Sequence, residues 1–163
     1  MASEVETFES LASEVDYPMY VVAAASDDER AGCLVGFLSQ CSIDPARVMV
    51  WLSKRNRTYR VAVRSDVIVV HLLRAGDDAL AELFGGTTGD EVDKFAWPSF
   101  EDGPSGVPVL DGCDWFAGRV LSEIDGGDHV GFLIEPFGGR IERAGTPQLG
   151  FQATRAIDPG HDA

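Results

Sequence analysis

The sequence predicts a mostly β domain of the α+β class with barrel-type architecture. Three observations carry this. Short apolar, partly β-branched runs recur along most of the chain, a spacing that suits strands of a barrel or sandwich. Two of these runs, Val120–Ile124 and His129–Ile134, flank Asp125-Gly126-Gly127-Asp128, a hairpin signal. Helical periodicity is confined to two or three short segments.

In chain order, Ser3 followed by Glu6 forms a capping box, and Val5, Phe8, Leu11, Ala12 and Val15 recur at helical spacing. An amphipathic N-terminal helix within residues 1–16 is predicted, closed before Pro18. Its apolar stripe must cover either the core or a second subunit. Met19–Ala25 reads as a strand, Asp27-Asp28-Glu29 as a turn, and Gly32–Ser39 as a buried strand whose two glycines imply a close backbone approach. Arg47–Ser53 and Val67–Leu73 are further strands. Residues 58–65 fit a strand and a helix about equally. Asp77 is placed to cap a helix carrying Leu80, Leu83 and Phe84, stopped by Gly85-Gly86. Residues 90–114, rich in Gly, Pro and acids, read as a long functional loop. Arg140–Glu142 and Gln148–Thr154 are expected to complete the sheet.

At 163 residues the chain suits a single domain, residues 1–163, with no internal repeat. It carries 13 basic and 27 acidic residues, a net charge of −14, which disfavours nucleic acid and anionic membrane as partners. No apolar run is long enough to span a bilayer, and the acidic start carries no signal-peptide pattern. Three cysteines, at 33, 41 and 113, form no Cys-x-x-Cys and no zinc spacing with His71, His129 or His161. They read as reduced thiols in the cytoplasm. Within this acidic chain, residues 47–64 hold six cations (Arg47, Lys54, Arg55, Arg57, Arg60, Arg64) and no carboxylate. A charge run is most often a solvated face. Asn56 and Thr58 beside guanidinium groups favour an anion pocket, because amide, hydroxyl and charged donors then converge.

Several segments together resemble the flavin reductase-like family with the FMN-binding split-barrel fold. Its first motif, Gly-x-Thr-x-Ser-Ser-Phe-x-Ser-x-Ser-x-Asp-Pro, stands here as Gly32-Cys33-Leu34-Val35-Gly36-Phe37-Leu38-Ser39-Gln40-Cys41-Ser42-Ile43-Asp44-Pro45, with the Ser-x-Asp-Pro tail matched in full. Ser53-Lys54-Arg55-Asn56-Arg57-Thr58-Tyr59 resembles the phosphate-contacting turn and the start of a helix, which implies helix for the ambiguous segment. Val69–Leu73 resembles the family's Val-Asn strand with His71 for asparagine. Leu80-Ala81-Glu82-Leu83-Phe84 matches its Leu-Ala-x-x-Phe helix, and Gly127-Asp128-His129 its Gly-Asp-His turn.

The resemblance implies an NAD(P)H:flavin oxidoreductase and a homodimer. Hydride would pass from NADH or NADPH to FMN, or to FAD, and a flavin-dependent monooxygenase is the implied partner. The flavin is expected at Gly32, Cys33, Leu34, Val35, Gly36, Phe37, Cys41 and Ser42, with its phosphate at Ser53, Lys54, Asn56, Arg57 and Thr58. Leu34, Gly36 and Phe37 replace hydroxyl-bearing residues of the motif, which leaves ring contacts there to the backbone. His129 is expected beside the nicotinamide as a positioning group, with no acid–base role, since hydride transfer needs chiefly distance and alignment. His71, Cys33 and Cys41 are expected to be structural. Two alternatives share the fold: a non-catalytic flavin- or haem-binding protein, and a deazaflavin-dependent reductase.

Overall fold

The computed structural model describes Met1 and residues 3–159. Its elements are α1 (Glu4–Glu14), β1 (Tyr20–Ser26), β2 (Glu29–Val35), β3 (Leu38–Ser42), β4 (Arg47–Ser53), α2 (Arg57–Ala62), β5 (Val67–Leu72), α3 (Asp78–Gly86), β6 (Phe100–Asp102), β7 (Pro108–Leu110), β8 (Asp114–Asp125), β9 (His129–Arg140) and α4 (Phe151–Thr154). His161 lies outside the described residues.

Seven strands form one sheet in the order β2-β1-β5-β8-β9-β4-β3, with every neighbouring pair antiparallel. The two edge strands, β2 and β3, are joined by only Gly36 and Phe37. Two residues cannot bridge the width of an open seven-stranded sheet, since strands lie about 4.8 Å apart. The sheet therefore curls until its edges meet at that junction, and the barrel has a seam there. The predicted barrel and mostly β class are borne out.

Period-2 alternation sends successive side chains to opposite faces, and here both faces are covered. Val22, Ala24, Cys33, Val50, Leu52, Ile68, Val70, Phe132 and Ile134 fill the interior with Val61 and Ala62 of α2. Val21, Ala23, Val69 and Ala117 pack outward under Phe84, Phe95, Val107, Val109 and Leu110. This double burial explains why β1 and β5 read as unbroken apolar runs.

Several expectations are corrected. Gly32–Ser39 is not one strand: the backbone turns at Gly36–Phe37, where Leu38 N–H donates to Gly36 O and Trp51 N–H to Phe37 O. Periodicity cannot signal this break, because both sides are apolar. The segment 57–62 is helical, with Asn56 Oδ1 accepting the Thr58 amide at 3.0 Å. Gly85 and Gly86 do not stop α3 but end it from within, because Gly85 admits Leu34: a Cβ there would lie 2.7 Å from Leu34 Cδ2. Asp77 stands at the N-cap without capping; its carboxylate accepts from the Arg74 amide and from Arg143. Residues 90–114 contain the β6–β7 hairpin, whose Val109 and Leu110 are buried. The sheet closes through longer β8 and β9 rather than through 140–142 or 148–154; Gln148 and Gly150 make isolated bridges only, and Phe151–Thr154 is helical. β8 reads poorly from sequence because its register shifts twice, at Ala117/Gly118 and Val120/Ser122.

The N-terminal helix forms with its capping box intact, and none of its residues is buried. Val5, Phe8, Leu11 and Val15 are all more than half exposed. Its stripe does not cover the core of its own chain.

Candidate functional site at the barrel seam

A cavity of about 250 Å³ opens at the seam. One wall is Cys33, Leu34, Val35, Gly36 and Phe37, the end of β2 and its turn. Trp51, Leu52 and Ser53 of β4 and Asn56 face it, and Phe84, Gly85, Thr87, Thr88 and Lys94 close the far side. Tyr17, Phe151 and His129 line its mouth.

β2 is an edge strand, so every second residue has main-chain groups unused by the sheet. Gly32 is one of these: its carbonyl points away from β1 and accepts from Lys94 Nζ at 3.2 Å. By the same alternation the amide and carbonyl of Leu34 face the seam. This gives physical content to the expectation that backbone contacts replace the absent hydroxyls. The close approaches anticipated at the glycines are to aromatic rings: a Cβ on Gly32 would lie 2.9 Å from Phe84, and one on Gly36 would overlap the Tyr17 ring.

At the mouth, the β8–β9 turn presents His129. Gly127 has a φ of +124°, a conformation glycine adopts without strain, and its N–H donates to Asp125 Oδ1 at 2.9 Å. Asp125 thus holds the turn. Asp128 instead binds His129 Nδ1 at 2.7 Å, which orients the imidazole, leaves Nε2 as its second polar atom and lowers the Asp128 pKa. The His129 ring lies 5.3 Å from Phe37, and Tyr17 stacks on Phe151 at 4.8 Å.

The basic run is not an open cationic face. Lys54 pairs with Asp125 at 3.0 Å, Arg60 with Asp90 at 2.6 Å, Arg64 with Asp27 and Glu29, and Arg47 with Glu135. Arg57 donates to Gly89 O and lies 3.9 Å from Glu29. Of the predicted phosphate group, Ser53 and Asn56 line the seam cavity, Arg57 and Thr58 line a second, polar cavity of about 330 Å³ behind it, and Lys54 lines neither. Among the ring-side residues, Cys33–Phe37 line the seam cavity, Gly32 lines the polar one, and Cys41 and Ser42 on β3 line neither.

His71 and Cys33 are core groups, as expected. His71 Nδ1 donates to Val21 O at 2.9 Å and Nε2 accepts the Leu110 amide at 3.0 Å, so the ring is neutral; burial pulls its pKa down to about 4. Burial pushes the Cys33 thiol up, away from nucleophilic use.

Sequence reasoning missed Tyr17, Trp51, Phe151, Thr87, Thr88 and Lys94. They come from five separate segments, and the signal nearest to hand was a lysine followed by phenylalanine inside an otherwise acidic stretch. Lys94 is 5% exposed. Its ammonium donates to Phe84 O at 2.9 Å as well as to Gly32 O, and burial lowers its pKa.

A curled antiparallel sheet with an aromatic-mouthed slot at its seam, lined also by amide, hydroxyl and ammonium groups, is a split barrel with a pocket for a ligand. A profile of the family described as "Flavin reductase like domain" matches residues 12–157. The FMN reductase (NADH) RutF of Ancylobacter novellus is 28% identical over 119 residues, covering 72% of this chain and 65% of that relative; the chain thus spans about two thirds of its length. In structure, the Streptomyces globisporus NADH:FAD oxidoreductase SgcE6 superposes with a TM-score of 0.83 at 19% identity, covering 93% of this chain and 91% of its own. Nitrilotriacetate monooxygenase component B from Mycobacterium thermoresistibile does so with 0.80 at 22%, covering 91% and 82%. The chain belongs to the flavin reductase-like family, and the expected split-barrel fold and oxidoreductase class are borne out. No helix among the described residues is long and apolar enough to cross a membrane.

Proposed function

We propose that this chain is an NAD(P)H:flavin oxidoreductase that holds FMN at the seam, works as a homodimer and passes reduced flavin to a monooxygenase. The observation that carries the reading is the seam cavity itself, apolar along Leu34, Val35 and Trp51 and polar at Ser53, Asn56, Thr87, Thr88 and Lys94. That division matches a flat heteroaromatic ring with an anionic tail. One feature of the seam cavity fits the tail: Lys94, which lines it, is a buried cation.

Bound FMN would supply the hydride acceptor. The protein's residues position and shelter. Leu34 offers its free main-chain groups to the ring edge, and Trp51 and Leu34 exclude water from it. His129, oriented by Asp128 at the mouth, is set to place the nicotinamide. No side chain of the cavity is required to move a proton.

Dimerisation is supported by two apolar surfaces: α1, and a groove of about 900 Å³ lined by Tyr20, Trp115, Phe137 and Ile141 among others. The likeness to a monooxygenase component B supports the monooxygenase partner. Three unpaired cysteines suit a reducing compartment, the cytoplasm. The test is flavin content of the purified protein, followed by NADH and NADPH oxidation with FMN or FAD added. Oxidation that rises with added flavin is expected; absence of flavin binding and of flavin-dependent oxidation would overturn the reading.

A further inference from the structure

α1 is a helix without a floor. None of its residues is buried, and the stripe of Val5, Phe8, Leu11 and Val15 is exposed along its whole length. Helices shorter than about 12–15 residues are marginal in water and depend on a packed apolar face; α1 has 11. The stripe therefore needs a cover that its own chain does not supply.

Nor is α1 a loose tail. The Gln152 side-chain amide donates to Ser13 O at 2.9 Å and to Val15 O at 3.0 Å, and Asp16 Oδ1 accepts the main-chain amides of Gln152 and Tyr17. Tyr17, the next residue, stacks on Phe151 at the mouth of the seam cavity. The helix is an arm anchored at its root and unpartnered along its stripe.

The same chain carries a surface of matching chemistry. The groove of about 900 Å³ is walled by Tyr20, Leu72, Trp115, Phe116, Phe137 and Ile141. Its walls also hold Arg74 and Arg140 against a single carboxylate, Asp114, in a chain of 13 basic and 27 acidic residues. Arg74 is tied to Asp114 at 2.6 Å. Arg140 is exposed and shared by Glu101 and Glu142, and the exposed Arg119, 3.8 Å from Glu135, lies over the Phe137 ring at 5.3 Å. α1 carries Glu4, Glu6, Glu9 and Glu14 and no cation. An apolar stripe among carboxylates is complementary to an apolar groove edged by guanidinium groups.

We propose that α1 is an exchanged arm: the stripe of each copy seats in this groove on a second copy. This rests on the homodimer reading above and specifies which surface meets which. Every copy brings one arm and one groove, so the pairing closes at two chains and leaves neither surface bare. Apolar burial supplies the affinity, and the opposed charges set the register.

The experiment measures dimer dissociation by sedimentation for the full chain, for an arm variant, Phe8→Gln/Leu11→Gln, and for a groove variant, Phe137→Asp/Ile141→Asp. Gln keeps helix propensity and net charge, and all four positions are exposed. Each variant alone is expected to weaken the dimer about 100-fold or more. Mixed in equal amounts, the two retain one intact arm and one intact groove. At a concentration where each alone is monomeric, the mixture is expected to sediment as a heterodimer, bound about tenfold or more tighter than either variant to itself. The arm variant enters the mixture only as a groove donor, so the rescue reads the pairing even where its own helix frays; Ile141→Asp alone replaces the groove variant if the pair fails to fold. A dimer that survives either variant, or a mixture that stays monomeric, overturns the exchanged pairing. A wild type that is monomeric at micromolar concentration defeats the homodimer reading itself, an outcome distinct from a wild-type dimer without rescue.

Discussion

The rings of Phe37 and His129 meet at the mouth of the seam cavity, with centroids 5.3 Å apart and planes inclined at 52°. Phe37 belongs to the turn that joins the two sheet edges, and His129 opens β9, which pairs with β4 through Ser53↔His129. The contact therefore couples the closure of the barrel to the placement of the group expected beside nicotinamide.

His129→Ala tests that placement. Flavin affinity should stay within about twofold, because His129 lies at the mouth and not at the inner end. The Michaelis constant for NAD(P)H should rise, or single-turnover flavin reduction should slow. Loss of one positioning contact is worth about 1–2 kcal/mol, so kcat/KM should fall roughly tenfold. Stopped-flow reduction at varied nicotinamide concentration reads both quantities, and unchanged kinetics would return His129 to a surface role.

Asn56→Asp probes the polar end without breaking the fold. Aspartate caps helices as well as asparagine does, so the Thr58 amide keeps its acceptor. The added carboxylate faces the seam cavity, where it repels a phosphate. FMN binding should weaken by about tenfold or more while riboflavin binding holds, as measured by fluorescence titration.

The groove lined by Phe137 and Ile141 predicts the oligomeric state. Phe137 and Ile141 are 46% and 75% exposed on its rim, and a carboxylate at either position costs little in an isolated chain. Light scattering at micromolar concentration should find a dimer for the wild type and a monomer for the Phe137→Asp/Ile141→Asp pair. A dimer in both would move the interface elsewhere, with the exposed stripe of α1 as the next surface to test.

His71 predicts how stability depends on pH. Its folded pKa, about 4, lies below the ordinary 6.5, so between these values the unfolded chain binds more protons. Stability is full above pH 6.5 and is lost as pH falls toward 4, by about 3 kcal/mol in all. Asp114, whose carboxyl is held at about 2 chiefly by the Arg143 amide, keeps its stabilisation throughout that window and loses it only below pH 3.8. Urea unfolding from pH 7.5 to 4.5 should show the loss in the wild type and a shallower slope in His71→Asn, which retains a donor and an acceptor without a titrating ring.

Much was determined by the sequence alone. The capping box at Ser3 and Glu6, the alternation of Val48, Val50 and Leu52 along β4, and the hairpin at Asp125–Asp128 are local signals, readable because each depends on neighbours in the chain. The ordered motifs from Gly32 to His129 carried the family and, with it, the helix at 57–62. The tertiary structure decided what depends on distant partners. The curl of the sheet follows from β2 and β3 being opposite edges joined by two residues, and strand order is invisible in periodicity. The same curl decides which cations of residues 47–64 face a ligand: Asp125, Asp90, Glu29 and Glu135 arrive from other elements and pair with them. It also brings Lys94, 61 positions beyond Cys33 in an acidic stretch, to the wall that Cys33 lines. A charge pattern reports which groups a segment carries, and only the packing of remote carboxylates and carbonyls around them decides which remain to meet an anion.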